Sequence, residues 1–338
     1  MKKHWAVLCG LAVLSAGVCL ADDLYSFVEE IPAPGNGGWD YMSVDDVGRR
    51  LYVSHASNVV VIDIDAGKVV GEIADTPGVH GLAVASDLNR GVVTCGRSGK
   101  AAIVDLSNLQ TVTSLETGEG PDGMLYDPVA HEAYTFNGRG QSATVIDVKN
   151  AKVVATIALG GKPEFGAADP DLGKVFDNLE DKSEVVVIDT KTHSVSSRWP
   201  VAPGEEPSGM SIDTAHHHLF LGCGNQKMLM MDATSGKVLG EVPIGNGVDA
   251  TCFDPGTSLA FASCGDGTTT IAREEGDKLT VVQTLKTEPR AKTMTLDPKT
   301  HRIYLGSAKF GPTPEGGGRR RAPMLPGTFK ILVYGMKK

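Results

Sequence analysis

The chain repeats one short grammar about every forty residues between Trp39 and Tyr334: an apolar run ending in Asp, a turn, a second apolar run, then Val-Ile-Asp and a strand like Lys-Val-Val. Aligned on the Asp that closes the first run, the copies fall at Asp45, Ala85, Asp127, Asp169, Asp213, Asp254 and Asp297, which makes seven. A period of this length marks a supersecondary unit that buries its faces only by stacking on its neighbours. It constrains architecture far more than activity, because one such fold carries many unrelated functions.

Within the first copy, Tyr41-Met-Ser-Val-Asp45, Arg50-Leu-Tyr-Val-Ser54, Asn58-Val-Val-Val-Ile-Asp63 and Lys68-Val-Val-Gly-Glu-Ile73 are parted by polar and Gly-containing turns. Four β-rich runs with turn residues between them predict a four-stranded antiparallel meander. The Val-Ile-Asp step returns at Asp105, Asp147, Asp189 and Asp232, then degenerates to Ile271-Ala-Arg273 and Val333-Tyr334. Helical periodicity is absent after the leader. Radial stacking of such units leaves only short, protected edges. The last copy ends at its third strand, Phe329 to Tyr334, while Leu24 to Ile31 resembles a fourth strand down to its Glu-Ile ending. The expected fold is therefore all-β, a seven-bladed β-propeller of four-stranded antiparallel blades whose last blade is closed by the N-terminal strand, with residues 22–338 as one domain.

Residues 1–21 read as a secretory signal peptide: Lys2 and Lys3, an apolar run from Trp5 to Leu20, and small residues toward Ala21. Gly10, Ser15 and Gly17 interrupt that run, which suits a cleaved leader better than a membrane anchor of about 18 apolar residues. The expected location is periplasmic or secreted, with no membrane association after cleavage. Without the leader, 30 basic residues face 41 acidic ones, and a formal charge near −11 argues against nucleic acid as the main partner. Cys95, Cys223, Cys252 and Cys264 remain, in a compartment that permits disulfides whose pairing sequence alone does not give. A monomer is expected.

The segments Leu51-Tyr-Val-Ser-His55 and Ile303-Tyr-Leu-Gly-Ser307, with the Val-Ile-Asp strands, resemble the YVTN-repeat propellers, especially their exported YncE-like branch. The similarity runs over the whole chain after the leader. It implies a seven-bladed propeller outside the cytoplasm and little chemistry, since relatives include electron-transfer and lactone-hydrolysing propellers.

The copies also align their polar residues. Five positions before the register Asp stand Asp40, His80, Asp122, Glu164, Ser208, Asp249 and Lys292, all polar, and three before it Met42, Leu82, Met124, Gly166, Met210, Thr251 and Met294. Ten positions after it come His55, Cys95, Asn137, Leu179 beside Asn178, Cys223, Cys264 and Ser307. In a propeller both sets lie toward one end of the axis, where ligands gather side chains from every blade. Asp40, His80, Asp122, Asn137, Glu164, Asn178 and Asp249 are the candidate ligand residues, for a small molecule or a protein partner. His55, His80 and Cys95 offer imidazole and thiolate ligands for copper or zinc, while Glu164, Asn178 and Asp249 offer hard oxygens for calcium. An insertion rich in Gly and Pro between Ser307 and Phe329 places Arg319, Arg320 and Arg321 toward the same face, as further candidate ligand residues that would fold over the acidic mouth or grip an anionic ligand. The triple His216-His217-His218 is expected to decorate a surface turn at the opposite end. These features favour a binding or scaffolding module. The alternatives are a metal-assisted lactonase or ester hydrolase and an electron-transfer partner protein, and no motif identifies catalytic residues.

Overall fold

The computed structural model describes residues 23–33, 35, 37–312 and 322–337, so the proposed signal peptide and Arg319, Arg320 and Arg321 lie outside the described residues. Seven four-stranded antiparallel sheets form a propeller. Blades 1 to 6 are consecutive meanders over residues 39–73, 79–116, 121–158, 163–200, 207–243 and 248–286. Blade 7 combines Met294–Asp297, Arg302–Ser307 and Lys330–Met336 with Tyr25–Pro32, which pairs antiparallel with Lys330–Met336 and closes the ring. The only helical elements among the described residues are two three-residue 3-10 turns, and no helix there is long and apolar enough to cross a membrane.

The repeated Asp residues are turn-makers. The Asp45 Oδ1 accepts the backbone N–H of Val47 and Gly48, and Asp127, Asp213, Asp254 and Asp297 close their own turns in the same way. A carboxylate that accepts backbone N–H groups two and three residues on mimics a turn, hence Asp at this register. Blade 2, with Ala85 there, uses the 3-10 turn Ser86–Leu88 instead. The Asp of Val-Ile-Asp repeats the device between third and fourth strands: Asp63 accepts from Asp65 and Ala66, and the Ala66 N–H leads the effects that lower its pKa.

The register Asp carboxylates are almost wholly buried, and several also clasp the following blade. Ser86 of blade 2 donates to Asp45, His217 of blade 5 meets Asp169, His301 of blade 7 meets Asp254, and Arg49 of blade 1 grips Asp297 with both terminal nitrogens at 2.8 and 3.0 Å. The last clasp joins the blades at the closure. Between blades, side chains from the second and third strands fill separate apolar cores, one built on Phe176, Leu219 and Leu229, another on Phe261, Leu305 and Leu332. Tyr25 of the closing strand packs edge-on against Phe261 of blade 6 and donates its hydroxyl to the His301 carbonyl at 2.7 Å.

Candidate functional site

The inner strands of blades 1 to 6 each carry a register slip, and that slip aims the site. In blades 1 to 5 the pairing jumps between the residues six and three before the register Asp, as from Trp39 to Met42 and from Pro121 to Met124. The two residues inside the bulge leave the ladder, and a bulge re-aims side chains. One of the two is the polar ring residue, Asp40, His80, Asp122, Glu164 or Ser208.

The other bulge residue faces the axis. It is Tyr41, Gly81, Gly123, Phe165 and Gly209 in blades 1 to 5, with Ala250 and Thr293 at the matching register of blades 6 and 7. Tyr41 crosses to blade 4, where its ring packs on Phe165 at 4.8 Å and its hydroxyl donates to the Glu164 carbonyl at 3.3 Å. The small residues make room for that plug. A Cβ on Gly123 would stand 2.1 Å from the Glu164 carbonyl oxygen, and one on Gly81 would strike Met124 and Tyr41. Beyond the plug, a mainly apolar cavity of about 510 Å³ extends from Tyr41 and Phe165 to Pro255 and Pro298 at the turn end.

On the other side of the plug the acidic residues gather. His80 Nδ1 lies between Asp40 Oδ2 at 2.7 Å and Asp122 Oδ1 at 3.1 Å, and one ligand atom from each of the three falls within 4.8 Å of the others. Lys162 Nζ stands 3.1 Å from Glu164 Oε2 and also pairs with Glu180, while Lys292 and Thr293 engage Asp249. Burial pushes the Asp122 carboxyl up to about 6 against the opposing charge of His80, with Asp40 and Asp249 adding to the rise. Burial followed by the Asp122 carboxylate pushes Glu164 up to about 7, against the opposing effect of Lys162. Burial disfavours the His80 imidazolium, but Asp40, Asp122 and Glu164 together outweigh it and raise its pKa. A groove of about 430 Å³ between blades 1 and 2, lined by Trp39, Ser57 and Arg97 among others, reaches Asp40 and His80.

Asp177 is a residue that sequence reasoning missed. It faces Gly166 where the other copies pair two apolar or near-apolar side chains such as Met42 with Val53. Its carboxyl is fully buried, has no hydrogen-bond partner of good geometry among the described residues, and is pushed well up by burial and then by the Glu164 charge. The Asp at a register of Val, Leu and Thr was the available signal. Nine positions after the register Asp runs a row that stitches the bulges together, of which sequence reasoning singled out only Asn178, as a ligand residue. Ser54 accepts from the Asp40 N–H, Thr94 donates to the Asp122 carbonyl, Asn178 donates to the Ser208 and Gly209 carbonyls, and Ser263 donates to the Lys292 carbonyl.

Among the sequence candidates, Asp40, His80, Asp122 and Glu164 come together, and Asp249 joins the same ring through Lys292. The set ten positions after the register Asp sits opposite the first inner-strand residue and packs between blades instead. Asn137 is buried and bonds Ser142 and Thr144; Cys95, Cys223, Cys264 and Leu179 enter the apolar cores. His55 stacks on Phe329 at 4.7 Å, and burial lowers its pKa. His55, His80 and Cys95 do not form a cluster of ligand atoms, because alternation along the second strand turns His55 and Cys95 into the blade interior. All four described thiols are free. The stem of the insertion folds onto this face: Phe310 bridges to Met324, lies under the Arg290 guanidinium, and faces Trp39 at 6.3 Å.

No family model matches the chain, and no curated protein does. Solved structures give the fold. The chain is similar to the WD40 repeats of RRP9 with a TM-score of 0.76 at 11% identity, covering 94% of this chain and 98% of that one. It is similar to U3-55K with a TM-score of 0.74 at 11% identity, covering 90% and 98%. A chain of the mitotic checkpoint complex matches with a TM-score of 0.74 at 15% identity, covering 90% and 96%. At these identities the likeness concerns the propeller architecture alone, and one such fold carries many unrelated functions.

Proposed function

We propose that the protein is an exported propeller of the YVTN and YncE-like kind that works as a binding module, and that its channel mouth receives a positively charged group. One observation carries the reading: Asp40, Asp122 and Glu164 crowd around a single imidazole and one lysine, so that two of the three carboxyls stay partly protonated near neutral pH. An arriving cation replaces those protons and offsets the repulsion. A propeller of similar fold occurs in the mitotic checkpoint complex, which supports a protein side chain as the source of the charge. The leader-like start supports a periplasmic or secreted location.

The test is calorimetric titration with an amidated dilysine peptide. Wild type is expected to bind with salt-sensitive affinity, and the Asp122→Asn, Glu164→Gln double variant at least about 10-fold more weakly, a loss of about 1.4 kcal/mol. Equal binding by both proteins sinks the reading.

A second reading, a metal-assisted hydrolase of lactones or related esters, draws on the compact Asp40, His80 and Asp122 set beside a Glu164 that titrates at about 7. A metal held there would polarise an ester carbonyl while Glu164 moved the proton. Lactone hydrolysis that depends on added divalent metal and disappears in His80→Ala would favour it over simple binding.

A further inference from the structure

Three departures from the repeat meet at the turn end of blade 5. Three residues after the register Asp the copies carry Gly48, Leu88, Ala130, Leu172, Thr257 and Thr300, but blade 5 carries His216. Five residues after it most copies place a long charged side chain, such as Arg50 or Lys174, but blade 5 places His218, which is buried. In blade 6 the Val-Ile-Asp ending is replaced and its third strand lengthened to Thr268–Glu275. The position that holds buried Ile64, Val148 and Ala233 in other blades is there occupied by Glu274. The expectation that the His triple lies on the surface therefore holds for His216, whose side chain is 65% exposed, and not for His218.

These residues converge on Asp213. His216 Nδ1 lies 2.5 Å from Asp213 Oδ2, His218 Nδ1 meets Glu274 Oε1, and one ligand atom from each of Asp213, His216 and Glu274 falls within 4.8 Å of the others. Both carboxylate side chains are only 4% exposed. The clasp that closes other blade junctions does not explain the cluster: His217, between the two, is turned away onto Asp169 of blade 4 at 2.7 Å. A nearly buried carboxylate in an apolar position, beside a second one, is costly unless compensated. Two imidazole N–H donors compensate it, and so does one divalent cation.

We propose that Asp213, His216 and Glu274 form a binding site for a divalent transition metal such as zinc, with His218 holding Glu274 in place as an outer-shell partner. Imidazole and carboxylate ligands suit zinc at about 2.0–2.2 Å, which needs ligand atoms about 3.4 Å apart and so asks only for small side-chain adjustments. Solvent reaches the metal on the His216 side and can supply a fourth ligand. Binding replaces the proton shared by His216 and Asp213, and that proton leaves to buffer. The site lies on the face opposite the acidic mouth and shares no residue with it.

The experiment titrates chelator-treated full-length protein with Zn²⁺ by calorimetry and with Co²⁺ by visible absorption, in a His80→Ala background that removes the mouth's imidazole. One strong site is expected, with proton release that varies with buffer and Co²⁺ bands of a low-coordinate ion. The exposed-side variant His216→Ala, which keeps the buried groups intact, is expected to weaken binding by about 100-fold, and His218→Gln by about 10–100-fold. His217→Ala is expected to leave it unchanged. Absence of Zn²⁺ binding, unchanged affinity in His216→Ala, or an equal loss in His217→Ala would overturn the site.

Discussion

At Asp122 and Glu164 partial burial makes ionisation costly, so these groups link binding and stability to pH. Their folded-state pKa values of about 6 and about 7 lie above the ordinary carboxyl range near 4, so the folded state favours the protonated forms. Their contribution to stability is full below about pH 4 and is lost as pH rises through 6 to 7, by about 3 kcal/mol per group at most. His80, also raised, loses its contribution as pH climbs past its folded value, in the same direction. Thermal unfolding compared at pH 5.5 and pH 8 at fixed ionic strength is therefore expected to show a smaller pH difference in the Asp122→Asn, Glu164→Gln variant than in wild type. A difference equal in both proteins would contradict this. The thiols give a second residue-scale outcome. Burial pushes Cys95 to about 11 and Cys223, Cys252 and Cys264 to about 12, so native protein should react slowly with a thiol reagent and expose these four on unfolding.

The inner strands of blades 1 to 6 each do two jobs, pairing and aiming, and the bulge separates them. Thr94 pins two of these bulges by accepting from the Gly81 N–H at 3.2 Å and donating to the Asp122 carbonyl at 2.8 Å. Thr94→Val is expected to cost about 1–3 kcal/mol in urea unfolding, the penalty for leaving buried backbone groups unpaired, and to weaken peptide binding by shifting Asp122. An unchanged midpoint would show that the bulge holds itself. The strands, their turns and the polar ring were legible in sequence because Asp turns and ring residues recur in register. The bulge was not, because it exists only in the pairing of two strands. That is why residues ten positions beyond the register Asp, which share an end of the axis with Asp40 and His80, pack as core side chains such as Cys223. The Tyr41 and Phe165 plug was equally hidden: its contact crosses from blade 1 to blade 4, a distance no local pattern encodes.

Ring closure turns these local devices into one site, since the mouth draws Asp40 from blade 1 and Asp249 from blade 6 around the same axis. Two contacts secure that closure, the strand Tyr25–Pro32 and the Arg49 clasp on Asp297, whose side chain is fully buried. Arg49→Ala leaves that carboxylate without its counter-charge and is expected to cost about 3 kcal/mol in denaturant unfolding. A loss below about 1 kcal/mol would place the strength of the closure in the strand alone. The mouth itself is tested most directly by calorimetric binding of the amidated dilysine peptide between pH 5.5 and pH 8 in buffers of different ionisation enthalpy. Affinity is expected to rise with pH, with proton release on binding that disappears in the Asp122→Asn, Glu164→Gln variant. Affinity independent of pH, or proton release that survives in the variant, would contradict a cation-receiving mouth.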